Sequence, residues 1–190
     1  MTHDRIELPI LQEYLKDFRD VESSIDLSNF TPDSEESITA DKLLIPFIGP
    51  GIDHQVDEAA RKGTMVPLKK YSKLESHIPL LVWQLRERFP NCSIVPSGHF
   101  LYPKGGGMSW HTNSDSPYLR CYLNYSENGD SFFKYFDMES EKTCISMDYV
   151  GWNLRTFHIN KEVEKRFWHC VYSKTTRISL GFRIVSNLKK

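Results

Sequence analysis

No run of apolar residues in this sequence approaches the roughly 20 that a membrane span requires. Its first residues, Met1-Thr2-His3-Asp4-Arg5, hold no apolar segment of the kind that opens a secretion signal. A membrane partner is therefore not expected, and the cytoplasm is the expected compartment. Cysteine is sparse. Cys92, Cys121, Cys144 and Cys170 stand far apart without a CxxC pair. This argues against a disulfide frame or a zinc site and for small apolar residues in a reducing compartment. An excess of either charge is also missing, since 24 Lys and Arg face 25 Asp and Glu for a formal net charge of −1. No basic surface for nucleic acid stands out, although a nucleobase is not thereby excluded as a substrate. Internal repeats and low-complexity tracts are absent. With 190 residues, the chain is long enough for one domain with a sizeable core.

What is present divides into two textures. Leu11, Tyr14, Leu15 and Phe18 recur at helical spacing and predict an amphipathic helix over 9–20. Residues 31–37 read as a turn-rich, acidic, solvated loop. A short apolar strand follows at 43–48, stopped by the turn residues 49–51, and Asp53 is placed to cap a brief helix ending at Gly63. Ser72-Lys73-Leu74-Glu75 has the form of a capping box. Behind it Leu74, Ile78, Leu81, Leu85 and Phe89 share one helical face. Pro79 lies inside that pattern, so the helix either kinks there or starts there; the preferred reading is one long helix that ends before Pro90 and packs on a sheet.

From Ser93 onward, β-branched and aromatic residues come in short runs between turn signals. Strands are predicted at 93–102, 108–113, 118–125, 131–136, 142–147, 152–159, 166–173 and 176–185, which points to a sandwich or jelly roll. Gly105-Gly106-Gly107 and the 127–130 segment are turns, and Asn128-Gly129 is the strongest hairpin signal in the chain. The predicted class is α+β, mainly β, in a single domain. Residues 1–92 form a helical buttress with loops, and 93–186 form the β module that carries the site.

His111 and Asn113 stand two apart in a predicted strand, so both side chains leave the same face. His169 arrives with a later strand, and eight residues on Arg177 and Ser179 again share a face. Two imidazoles and an oxygen ligand from different strands, with positions left open, suit a non-haem Fe(II) centre. An arginine then offers a fixed fork for a carboxylate. In the last strand Ile178, Leu180, Phe182 and Ile184 alternate with Arg177, Ser179, Gly181 and Arg183. The polar set either meets water in an open sheet or lines a cavity in a closed roll, where Gly181 would leave room. Arg183 is the rival to Arg177 as carboxylate clamp. Arg120 alternates with Leu119, Cys121 and Leu123 and is a candidate to meet an acidic group of the substrate. Residues 131–136 read as packing rather than as a stacking platform. His3, His54, His77, His99 and His158 have no partner at metal-ligand spacing and read as ordinary.

The order His111, His169, Arg177, Ser179 resembles that of the Fe(II)/2-oxoglutarate-dependent oxygenases, most closely small phage-type members, over about 94–185. The resemblance implies a double-stranded β-helix, or jelly roll, buttressed by helices, in the cytoplasm (of a phage-infected host for such members). It implies Fe(II) on His111 and His169 near Asn113, and a 2-oxoglutarate co-substrate whose far carboxylate is held by Arg177 and Ser179 with Tyr102. Succinate, CO2 and a hydroxylated substrate would be the products.

One position departs from the family pattern, which has Asp or Glu where this chain has Asn113. Three completions of the ligand set are open: the Asn113 amide oxygen, Asp115 reaching in, or water beside two histidines. The last is similar to the aspartyl/asparaginyl hydroxylase branch and to carboxylate-free halogenases. A jelly-roll binding module that has lost iron chemistry is the alternative from another class, and a cupin-type metal-dependent isomerase would need no arginine clamp. A small molecule such as a free amino acid, a protein side chain and a nucleobase all stand as substrate classes.

Overall fold

The strand pattern of the second half closes into two antiparallel sheets in a computed structural model that describes residues 1–41, 64–113, 118–160, 162 and 166–187. Two short strands come first, β1 (Thr2–Arg5) and β2 (Val66–Pro67). The main series is β3 (Cys92–Tyr102), β4 (Gly107–His111), β5 (Leu119–Ser126), β6 (Phe132–Asp137), β7 (Lys142–Met147), β8 (Gly151–His158), β9 (His169–Tyr172) and β10 (Arg177–Ser186). The larger sheet has the order β1-β8-β5-β10-β3-β2 and the smaller one β4-β9-β6-β7. From β3 to β10 each strand lies in the opposite sheet to the one before, except that β7 follows β6 in the same sheet. This alternation is the double-stranded β-helix of a jelly roll.

The two faces of β10 divide the molecule. Ile178, Leu180, Phe182 and Ile184 join Leu123 and Leu154 in a core covered by helices α1 (Pro9–Glu22) and α4 (Ile78–Arg88), through Leu11, Tyr14, Phe18, Leu81 and Leu85. Each such side chain contributes about 1.5–3 kcal/mol on burial. Arg177, Ser179 and Arg183 turn the other way and line a cavity. Of the two readings left open by the alternation, the closed roll is the one realised. Gly181 permits close approach rather than leaving a void, because a Cβ there would stand 2.8 Å from both Ser97 Oγ and Tyr122 Cε1. Among the described residues no helix is long and apolar enough to cross a membrane. All four cysteines are free, Cys121 and Cys170 buried and Cys92 and Cys144 partly so.

Several local expectations are corrected. The single helix over 72–89 is two, α3 (Ser72–Glu75) and α4. A proline ring at 79 would meet the carbonyl of residue 75 in a continuous helix. The chain instead restarts so that Pro79 falls in the first turn of α4, where no N–H is required. Ser72 is the first helical residue rather than the cap, which is Tyr71 with no side-chain capping bond. The 31–37 loop is solvated but leads into α2 (Glu35–Thr39). The Ser34 hydroxyl caps this helix by accepting from Ser37 N at 3.0 Å, and Ile38 is buried. Asn128-Gly129 is a turn but not a hairpin, since β5 and β6 belong to different sheets and the segment carries the chain between them. The expected strand at 43–48, and the helix Asp53 was to cap, lie outside the described residues.

Candidate active site

β4 and β9 pair so that His111 and His169 are register partners, past an irregularity between Met108 and His111. Their rings lie 4.0 Å apart between centroids. His111 Nδ1 donates to the Ser109 carbonyl at 2.7 Å, and His169 Nδ1 donates to the Phe167 carbonyl at 2.9 Å. A carbonyl only accepts, so in its neutral form each ring carries the proton on Nδ1 and the lone pair on Nε2. Fixing the ring through its second nitrogen is how metal-binding histidines are oriented. Phe133 stacks on His169 at 5.0 Å, with Phe157 and Phe167 at 5.1 and 5.6 Å completing an apolar wall.

Asn113 reaches this pair by a different route from the one expected. Strand alternation does not extend to it, because β4 ends at His111 and Asn113 adopts a left-handed backbone with φ 54. Asparagine tolerates that region better than most residues. From there its amide Nδ2 donates to His169 Nε2 at 3.2 Å. A half-turn of the amide would present Oδ1 in the same place. Among the described residues no three His, Cys, Asp or Glu side chains gather as a metal site. Asp115, the alternative carboxylate, lies outside the described residues. Two oriented imidazoles and one amide are a donor set that suits a divalent transition ion with open positions.

Arg177 lies deeper in the same cavity, 1% exposed. Its Nε donates to Asp148 Oδ2 at 2.8 Å, and its guanidinium carbon sits 5.4 Å from the centre of the Tyr102 ring, on the residue directly opposite it in β3. Asp148 also accepts from Arg155 Nη1. One buried carboxylate thus lies between two buried arginines. Burial pushes the Asp148 carboxyl up, but the charges of Arg177 and Arg155 outweigh it and hold it below the usual range. Burial also lowers the Arg155 guanidinium, as does Arg177, against the opposing pull of Asp148. Ser179 is two residues on from Arg177, buried, facing Asn124 across the β10–β5 pair. Asn124 is 1% exposed, lines the cavity, and neither its Oδ1 nor its Nδ2 has a partner among the described residues. A buried amide left open on both sides is costly without a ligand.

The structure therefore brings His111, Asn113, His169, Tyr102, Arg177 and Ser179 onto one cavity of about 440 Å³. Arg120 and Arg183 line it as well. Asp148, Arg155 and Asn124 escaped sequence reasoning. Arg155 and Asn124 carried a signal, because each alternates with residues whose side chains face the helices, Trp152 and Leu154 for the first and Cys121 and Leu123 for the second; Asp148 carried none. Phe132 and Phe133 pack as expected, the latter against His169. Of the histidines set aside, His3 bonds Asn153, His77 bonds Asp17, and His158 is exposed. His99 is buried on Glu75 at 2.7 Å and, against expectation, forms part of the cavity wall. His54 lies outside the described residues.

No protein-family model matches the chain, and no curated protein matches it in sequence. Among solved structures it is similar to a prolyl-4-hydroxylase of Pseudomonas putida, with 14% identity over 97% of this chain and 91% of that chain and a TM-score of 0.48. It is also similar to an oxidoreductase of the 2OG-Fe(II) oxygenase family from Burkholderia pseudomallei, with 10% identity over 96% and 93% and a TM-score of 0.42. A cysteine peptidase from Thevetia peruviana latex matches 53% of each chain at a TM-score of 0.34. A reading of function rests on the residues of the site.

Proposed function

We propose that this chain is an Fe(II)- and 2-oxoglutarate-dependent oxygenase of the hydroxylase type. The observation that carries the reading is the convergence of the His111–His169 register pair and the buried Arg177 on one cavity. His111 and His169 would hold Fe(II) through Nε2, each ring aimed by its carbonyl acceptor, with the Asn113 amide beside His169. Arg177 has Nε committed to Asp148, so its remaining N–H groups are those that can take the far carboxylate of 2-oxoglutarate. Ser179 and Tyr102 flank that position, and Asn124 offers a donor and an acceptor next to it. Fe(II) with 2-oxoglutarate supplies, when bound, oxidative decarboxylation of the co-substrate coupled to hydroxylation of a C–H bond. The aromatic wall of Phe133, Phe157 and Phe167 keeps water from the histidines. Anaerobic Fe(II) and 2-oxoglutarate should give wild-type protein a visible charge-transfer band, absent from His111→Ala and His169→Ala. Aerobic turnover should release succinate. Neither band nor succinate at saturating iron would sink the reading.

A second reading is a jelly-roll binding module without iron. It is favoured by the Asn113 amide donating into the His169 lone pair, and by an amide standing where a carboxylate ligand is usual. Protein of this kind would take up no stoichiometric iron on reconstitution and would still bind a small ligand in the cavity.

A further inference from the structure

The cavity holds a second cationic centre that the co-substrate cannot use. Arg120 on β5 and Arg183 on β10 are register partners, and both line the cavity. Arg120 is only 5% exposed, yet its side chain makes no hydrogen bond or ion pair with any described residue, and its Nε is left without a partner. Lys69 adds a third cation at the rim. Among the described residues no Asp or Glu lines the cavity. A buried guanidinium without an anion, as at Arg120, is costly.

Position separates this centre from Arg177. Arg183 lies six positions beyond Arg177 in β10, about 20 Å along a strand. A five-carbon diacid, shorter than two extended residues, cannot reach from one to the other. Arg120 instead stands at the histidine end. Its partner across the β5–β8 pair is Phe157, whose ring is 5.1 Å from that of His169.

We infer that the primary substrate is a small molecule bearing an oxyanion, a phosphate or a carboxylate, that is bound by Arg120 and Arg183 while its reacting carbon lies towards His111 and His169. The anion site stands on the geometry of these arginines; its being a substrate site rests on the oxygenase reading. A cavity of about 440 Å³ suits such a molecule better than a folded protein segment.

Calorimetric titration of the full chain with inorganic phosphate, and separately with acetate, tests the anion site. Phosphate or acetate should bind, and should raise the melting temperature more than chloride at equal ionic strength. Arg120→Gln and Arg183→Gln should each weaken binding on the order of 10-fold or more, and Arg177→Gln by less than about twofold. One equivalent of 2-oxoglutarate, enough to fill the Arg177 clamp in the presence of Fe(II), should not displace the probe. Tighter binding of phosphate identifies a phosphoryl group, and equal or tighter binding of acetate a carboxylate. No binding of either probe, binding unchanged in both Arg120→Gln and Arg183→Gln, or loss in Arg177→Gln with displacement by 2-oxoglutarate would overturn the inference. Arg183 is only partly buried, so Arg183→Gln serves should Arg120→Gln fail to fold. Loss of Fe(II) and 2-oxoglutarate binding by wild type, with the phosphate titration intact, would refute the oxygenase reading and leave the anion site standing.

Discussion

Arg177 donates through Nε to Asp148 at 2.8 Å, in a pair whose side chains are 1% and 0% exposed. Because Arg155 meets the same carboxylate, the cluster carries two positive charges and one negative. Its geometry fixes the Arg177 guanidinium from behind and leaves net positive charge on the cavity side. A rigid fork for a carboxylate needs both features.

Removing the carboxylate should therefore unsettle fold and site together. Asp148→Ala leaves two buried guanidinium groups without their anion and should cost about 3–5 kcal/mol, measured by urea unfolding. The pH dependence has a definite sign. Asp148 is held below the ordinary carboxyl range in the folded state by the two arginines, against burial. Its stabilisation is thus complete above the unfolded value of about 3.9 and is lost as pH falls from there towards the folded value. Asp148→Asn should flatten the acid limb of the stability profile in that window and leave it parallel to wild type above.

Arg177 and Arg183 occupy one face of one strand but different ends of the cavity. Loss of a guanidinium from a carboxylate in a dry pocket costs about 2–5 kcal/mol. Arg177→Ala should weaken 2-oxoglutarate binding on the order of 30-fold or more while iron affinity changes little. Arg183→Ala should leave 2-oxoglutarate binding nearly untouched. Equilibrium binding under anaerobic conditions reads both, and a reversal of the two results would displace Arg177 from the clamp.

Runs of β-branched and aromatic residues between turn signals made the eight strands of the roll legible to within a few residues; in β10 strict alternation also separated a core face from a cavity face. It also set Arg177 and Ser179 on the face opposite Ile178 and Leu180. Pairing across sheets was not legible. Nothing local tells Asn128-Gly129 to bridge two sheets instead of closing a hairpin, since the turn's own geometry serves both. β1 and β2 are four and two residues long, too short for a periodic signal, and exist because β8 and β3 offer free edges. Asp148 was invisible for a related reason. Its role depends on Arg155 and Arg177, which only the closed roll brings to it. Asn113 was placed near the metal ligands by alternation, yet a left-handed turn is what delivers it.

Gly107 begins β4, and a Cβ there would lie 2.4 Å from the Val171 carbonyl oxygen and 2.9 Å from Ile38 Cδ1. The first contact is with backbone of β9, the strand that carries His169. Gly107→Ala must therefore push β4 and β9 apart, at about 1–3 kcal/mol. Thermal unfolding should show the loss, and iron affinity should fall with it although neither histidine is altered. Unchanged iron binding would show that the His111–His169 register is held by other contacts.

The sharpest question concerns Asn113, whose amide bonds His169 from a left-handed backbone. Its backbone and its side chain need separate tests. Asn113→Gly keeps the left-handed conformation and removes only the amide. Asn113→Asp keeps the shape and places an anionic oxygen where Nδ2 stands. Asn113→Ala removes the amide and also strains the backbone by about 1–2 kcal/mol. If the amide turns its oxygen to the metal, divalent iron affinity should rise in Asn113→Asp, because a negative ligand offsets the ion's charge in a low-dielectric site. In Asn113→Gly it should fall on the order of 10-fold. Asn113→Ala should combine that fall with a lower melting temperature. Asp115→Ala is the control for a carboxylate two residues further on. Iron titrations that leave Asn113→Gly equal to wild type, with Asp115→Ala silent as well, would mean two histidines and water complete the site. The amide would then act only to orient His169.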